Sequence, residues 1–237
     1  MNVVQEFSRF ADQYDSYNVV QRDVAKKLVL QIEKERYNTV VDIGCGSGTL
    51  YKELKKNNLN FNQFIALDFS PEMLSIHPNN KKIKKKCFDF NNINDFELLT
   101  LPEDTLVLSS SALQWSTNLD KTLKAISQMG LEFHFSFFTS NTFSTLHQIA
   151  NIKSPIYSQP YLIERLSKYY TIKYVEASYQ LKFEKIRQMF QYIKRSGVSG
   201  GEKQLSYKEI KKVMSEYPFD YLEFEVLFIE AKRKSYK

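Results

Sequence analysis

Cysteine is scarce in this chain: Cys45 and Cys87 are the two thiols among 237 residues. That is too few for a disulfide framework or a cysteine-rich zinc site, and it makes a reducing cytoplasm the expected setting. The three histidines, His77, His134 and His147, show no ligand spacing, so no metal site is expected. No run of about 18 uncharged apolar residues occurs, and no membrane helix is expected. The first residues carry Glu6, Arg9, Asp12 and Asp15 in a helical pattern, which is unlike a signal peptide. Neither an internal repeat nor a low-complexity linker interrupts the chain. Residues 1–237 therefore read as one domain, divided into amino-terminal helices (1–36), a core (37–140) and a final section (141–237).

Acidic residues are outnumbered, giving a net charge of +6. This hints weakly at an acidic partner. The run Lys81-Lys82-Ile83-Lys84-Lys85-Lys86 reads as a solvated loop and strand edge. No basic motif interleaved with aromatics is present, so nucleic acid is not the expected partner. A hydrophobic content of 43% and an aromatic content of 14% suit a globular protein with one substantial core.

Glycine is sparse as well, with 7 residues, yet Gly44, Gly46 and Gly48 alternate in Val40-Val41-Asp42-Ile43-Gly44-Cys45-Gly46-Ser47-Gly48. The β-branched residues read as a buried strand. The glycines then permit a tight turn with φ > 0 and let a ligand approach the main chain. Leu50 to Lys56 continues as helix, so the loop is the strand-to-helix crossing at which an open α/β sheet holds a nucleotide-like ligand.

The rest of the chain supports that setting. Val4, Phe7, Phe10, Ala11, Tyr14 and Tyr17 fall at helical spacing, and a helix from Asn18 to Glu35 follows. Strands are expected at 38–43, 63–68, 86–90, 105–109 and 132–139, with helices at 49–57, after Ser70-Pro71, and at 118–129. This alternation implies a parallel sheet covered on both faces. Helices at 142–151, 159–168, 184–195 and 206–215 surround two more strands, one near Ile172–Val175 and one over 221–229. These two could pair antiparallel at one side of the sheet.

The glycine spacing is G-x-G-x-G, not the G-x-G-x-x-G that seats a dinucleotide pyrophosphate. A tight loop preceded by Asp42 suits a ligand with a nucleoside and a charged amino acid but no phosphate. S-adenosylmethionine is that ligand. Asp68, 24 residues after Gly44, can accept both ribose hydroxyl protons. Asp89 can accept from an adenine amino group, although alone it reads as a turn residue, and Phe88 can offer its ring to the base. Met73 either packs beneath the adenine or is plain helix core. Cys45 in the loop, Phe69 after Asp68, and Ser109 at the end of the fourth strand complete the expected cofactor set.

These motifs resemble the class I S-adenosylmethionine-dependent methyltransferases. The resemblance implies a Rossmann-like seven-stranded α/β sheet, mostly parallel with an antiparallel last strand, plus a helical insertion. It also implies that the loop wraps the methionine part of the cofactor, near Asp42. The Asn/Asp-Pro-Pro-aromatic motif of nucleobase N-methylation is replaced by Ser109-Ser110-Ser111-Ala112-Leu113-Gln114-Trp115. A carboxylate acceptor needs neither metal nor base, being already ionised, and alignment supplies much of the rate.

A narrower resemblance is to the malonyl-acyl-carrier-protein O-methyltransferases of biotin biosynthesis. It rests on Phe7-Ser8-Arg9-Phe10-Ala11-Asp12-Gln13-Tyr14 with Gln21, on Ser110 to Trp115, on Phe135 to Thr139 and Thr142 to Leu146, and on the segments 193–198 and 221–228. Met129-Gly130 departs from the family's Pro-Gly-Gly, which touches a turn and not the chemistry. This resemblance implies methylation of the free carboxyl of malonyl-acyl-carrier protein, with a carrier protein as partner; a monomer is the expected state, which the sequence itself does not fix. The alternative acceptor is a small-molecule acid or quinone precursor on the same fold. By the same resemblance Tyr14 would close over the cofactor, and Gln114 and Trp115 would line the acceptor pocket. Arg187 or Arg195 would pair with the acceptor carboxylate. Plain alternatives are a core aromatic for Tyr14 and Trp115, and a solvated face for the arginines. Lys185, Lys194, Arg195 and Lys203 could steer an acidic carrier.

Overall fold

The computed structural model describes residues 18–195 and 206–234. The expected helix over residues 4–17 lies outside them. Helix α1 (Val19–Leu30) buries Val20, Val24 and Leu28 at helical spacing and ends five residues earlier than its expected end at Glu35. Then come β1 (Arg36–Ile43), α2 (Thr49–Lys56), β2 (Asn60–Asp68), α3 (Pro71–Ile76), β3 (Ile83–Cys87) and α4 (Ile93–Glu97). The chain continues through β4 (Thr105–Ser110), a 3₁₀ turn (Leu113–Trp115), α5 (Leu119–Ile126), β5 (Glu132–Phe138), α6 (Ser144–Ala150) and α7 (Gln159–Tyr169). It closes with β6 (Tyr170–Lys182), α8 (Ile186–Arg195), α9 (Tyr207–Glu216) and β7 (Tyr221–Arg233). Among the described residues no helix is long and apolar enough to cross a membrane.

The strands form one sheet in the order β3-β2-β1-β4-β5-β7-β6. β3, β2, β1, β4 and β5 run parallel, and β7 runs antiparallel to both β5 and β6. The Val40-Val41 pair is fully buried, as a central parallel strand covered on both faces requires. Two apolar clusters lie on the two faces. One gathers Val24, Leu28, Val40, Phe64 and Phe224, and the other Val41, Phe88, Val107, Phe133 and Leu162.

Local signals account for several boundaries. Ser70 caps α3 by accepting from the Met73 N–H at 3.2 Å, with Pro71 at the first helical position. The third strand runs 83–87 instead of the expected 86–90, so Phe88 and Asp89 lie just past its end. The displacement follows from the lysine run, which forms the edge strand. Lys85 donates to the carbonyls of Leu74 (2.8 Å) and His77 (2.6 Å), and Lys82 to that of Phe61 (3.1 Å). Lysines on an edge strand also discourage pairing with another chain.

Candidate cofactor and acceptor site

β1 and β2 pair in register, with Asp42 opposite Ala66 and Ile43 opposite Leu67. The loop after Ile43 and the carboxylate of Asp68 thus emerge side by side. On the other flank Asp42 lies opposite Leu108, which brings Ser109 and Ser110 to the same level. This is the point where the strand order reverses, and such points leave a crevice beyond the carboxyl ends of the strands.

Gly44, Gly46 and Gly48 all adopt left-handed backbone, at φ 73°, 51° and 82°. The N–H groups of Gly44 and Cys45 both donate to Leu67 O, at 2.8 and 3.0 Å. Gly46 N–H donates to Asp68 Oδ2 at 2.8 Å, and Ser70 N–H to Asp68 Oδ1 at 2.9 Å. A carboxylate has about four lone-pair sites, so Asp68 retains acceptor capacity after both bonds. Phe69, partly buried, follows Asp68. Ser109 is buried, and its hydroxyl donates to Ile43 O at 2.7 Å, which ties β4 to the root of the loop.

A cavity of about 40 Å³ opens over the loop, bordered by Asn18, Gln21, Asp42, Cys45, Gly46 and Ser111 among others. Polar atoms without partners are concentrated there. Both oxygens of Asp42, both polar atoms of the Asn18 amide, Gln21 Oε1 and Ser111 Oγ are buried with no hydrogen bond among the described residues. Burial raises the Asp42 carboxyl well above the ordinary carboxylate range, with the charge of Asp68 adding to the effect. Burial also raises Asp68, against the pull of the Ser70, Gly46 and Phe69 N–H groups. Two buried carboxylates beside unpartnered amide oxygens make a site that a cationic ligand would complete. Among the described residues a Cβ at Gly46 would meet nothing within 4 Å, so the loop leaves open space there.

The remaining expected residues fall in different places. Gln114 is buried on the 3₁₀ turn after β4, donating to Ser111 O at 2.8 Å while its Oε1 is buried without a partner. Trp115 is half-buried and packs on both apolar clusters. Met73 is buried on α3, and Cys45 borders the cavity. Phe88 is only 1% exposed, set edge-on to Phe96 with ring centroids 4.8 Å apart, so its ring belongs to the core. Asp89 is exposed, and its Oδ1 accepts from Asn91 N–H at 2.9 Å. Arg187 is exposed on α8 and does not border the cavity. Tyr14, Lys203 and the side chains of Lys194 and Arg195 lie outside the described residues.

Asn18 carries no motif, and Ser111 belongs to the Ser110–Trp115 segment without having been singled out, yet both border the cavity. Gln21 belongs to the segment that carries the narrower resemblance. Ser111 also holds a left-handed conformation, at φ 56°, which is uncommon away from glycine.

Residues 41–129 match a family model described as a methyltransferase domain. The chain is 30% identical over 184 residues to malonyl-[acyl-carrier protein] O-methyltransferase 2 of Ilyobacter polytropus, covering 73% of this chain and 68% of that protein. It is 27% identical over 219 residues to the malonyl-[acyl-carrier protein] O-methyltransferase of Bacillus cytotoxicus, covering 82% and 75%. The fold resembles the crystal structure of the YcgJ protein of Bacillus subtilis, with a TM-score of 0.63 at 11% identity over 90% of this chain and 99% of that one. With its sheet order and glycine loop, the chain belongs to the class I S-adenosylmethionine-dependent methyltransferases, and its cofactor is S-adenosylmethionine. Within that class, both sequence relatives described carry the name malonyl-[acyl-carrier protein] O-methyltransferase.

Proposed function

We propose that the protein transfers a methyl group from S-adenosylmethionine to the free carboxyl of malonyl-acyl-carrier protein, giving the methyl ester that primes pimeloyl synthesis for biotin. The observation that carries this reading is the match to enzymes of that name along most of their length and most of this chain. The cofactor supplies an electrophilic methyl group on a sulfonium, and a carboxylate oxygen takes that methyl as the sulfur keeps the bonding pair.

The chain's own residues bind and orient. Asp42, with the amide oxygens of Asn18 and Gln21, offers acceptors for the three N–H donors of the cofactor's ammonium. Asp68 uses its remaining lone pairs for the ribose hydroxyls. Asp89 Oδ2 is left for the adenine amino group, with Met73 and Phe69 packing nearby. Gln114 and Ser111, both with unpartnered buried oxygens, stand where the acceptor enters, and Trp115 and Tyr14 restrict water. No proton has to move, because the acceptor carboxylate is ionised at neutral pH. Arg187, which is exposed on α8 and does not border the cavity, and Arg195, whose side chain lies outside the described residues, remain the proposed carboxylate partners.

The test is mass spectrometry of malonyl carrier protein incubated with enzyme and cofactor. A gain of one methyl group, abolished in Asp68→Ala, is expected. Methylation of a free small acid with no gain on the carrier protein would overturn the acceptor assignment.

A further inference from the structure

A second cleft, of about 380 Å³, opens beyond the carboxyl end of β5, with Ser140, His147, Lys153, Ser154 and Ser158 among its lining residues. Its chemistry is rich in hydrogen-bond donors. Ser154 Oγ and His147 Nδ1 are buried without a partner among the described residues. Ser158 occupies the N-cap of α7 and its hydroxyl makes no capping bond, so that hydroxyl and the N–H groups of Gln159 and Tyr161 are the donors at this helix start, Pro160 having no N–H to give. Lys153 is exposed and forms no ion pair among the described residues.

Among the described residues no carboxylate lines the cleft. Glu223, the acidic group that acts on His147, is engaged by Thr145 N–H, Ser144 Oγ (3.1 Å) and Tyr217 OH (3.0 Å). Burial would raise its carboxyl, but the bonds from Thr145, its own backbone and Tyr217 hold it below its ordinary value, so it stays a bonded anion within the protein. Hydroxyls, an amine, an imidazole and a helix start together suit a ligand with several anionic oxygens and nothing to donate. Phosphate is such a group.

The cleft is also tied to the first one. Ser140 N–H donates to Tyr157 O at 2.9 Å, and Tyr157 OH donates to Ser116 O, directly after the turn that carries Gln114 and Trp115. The turn is thus linked to both openings, to the first through Ser111, which borders that cavity and accepts from Gln114, and to the second through Tyr157 and Ser140.

We infer that the second cleft binds the phosphate of a pantetheine arm, so that the arm crosses the Gln114 turn with its acyl end at the cavity over the glycine loop. This rests on the carrier-protein reading above. The test measures binding alone, with no methyl transfer: calorimetric titration of the full chain, saturated with S-adenosylhomocysteine, with 4′-phosphopantetheine, pantetheine and inorganic phosphate. Phosphopantetheine is expected to bind about tenfold more tightly than pantetheine, as a charge-assisted phosphate contact would give. In Lys153→Gln/Ser154→Ala that advantage disappears while the affinity for S-adenosylhomocysteine holds. Lys153→Gln alone, an exposed change, serves if the double variant folds poorly, and is expected to lose most of the advantage.

Equal binding of the two pantetheines overturns the inference, as does an advantage that survives both variants. Inorganic phosphate binding as tightly as phosphopantetheine would also overturn it, because the site would then be a phosphate site not built for the arm. Failure to methylate malonyl carrier protein would instead sink the acceptor reading and leave this binding result unmoved.

Discussion

Alanine placed at each loop glycine in turn separates what the loop does for the fold from what it does for the ligand. All three positions are left-handed, so each substitution costs about 1–2 kcal/mol in backbone conformation. Their surroundings differ. A Cβ at Gly44 would stand 2.4 Å from the Cβ of Ala112, and one at Gly48 would stand 2.6 Å from Pro78 Cδ and 2.8 Å from His77 Cδ2. Carbon atoms pack best at about 3.5–4.0 Å, so these two positions carry a further overpacking cost of about 1–3 kcal/mol. Gly46 carries none, because nothing lies within 4 Å of its added carbon. A domain of this length loses about 2–4 °C per kcal/mol. Gly46→Ala should therefore melt about 2–8 °C low, and Gly44→Ala and Gly48→Ala about 4–20 °C low. Titration with S-adenosylhomocysteine should show the reverse emphasis: Gly46→Ala folds but binds at least about tenfold more weakly, since its methyl enters the ligand's space. Adding Ala112→Gly to Gly44→Ala removes the 2.4 Å contact and should recover the overpacking part of the loss. The reasoning fails if Gly46→Ala destabilises as much as Gly44→Ala, or if Ala112→Gly recovers nothing.

Asp42 is expected to trade stability for binding. Its folded carboxyl is raised by burial and by Asp68, so its favourable contribution is fully present below the unfolded value and is lost as pH rises through the folded one. Asp42→Asn should therefore gain on the wild type in melting temperature between pH 4 and pH 8, while cofactor binding falls at least about tenfold; a gap that does not change with pH refutes this. Because a cation favours the ionised form, S-adenosylmethionine binding to the wild type should release a proton, read as a buffer-dependent heat in calorimetry. Ser111→Gly relieves a left-handed serine and removes a buried unpartnered hydroxyl, so it should raise the melting temperature by about 2–4 °C, roughly 1 kcal/mol. A lower melting temperature would contradict it.

The central strands and the loop were legible because their signals are local. Val40-Val41 reads as a buried strand, and Ser70-Pro71 as a helix start, from the residues alone. β3 was displaced by three residues because a lysine-rich edge strand has no apolar alternation, and its lysines are spent on carbonyls of neighbouring segments. Helix α4 covers five residues, too few for helical periodicity to show, and it places Phe96 edge-on against Phe88. That contact commits Phe88 to the core. Asn18 looked like nothing more than the first residue of the helix expected to run to Glu35.

Chain chemistry over a few neighbouring residues was enough to establish where the backbone turns at the glycine loop, that Asp42 precedes it, and which cofactor suits that spacing; the β1–β2 register brings Asp68 beside it. The first three properties depend on which residues tolerate φ > 0 and which can accept protons, and both are intrinsic to the residue. Which polar groups end up buried without partners was decided by packing between segments far apart in the chain. Docking of α1 brings Asn18 and Gln21 to the loop cavity, and the hydrogen bonds among residues 140, 157 and 116 set the second cleft beside the Gln114 turn. A side chain is polar wherever it sits, but only the assembled fold removes it from water and leaves its hydrogen-bonding capacity for a ligand.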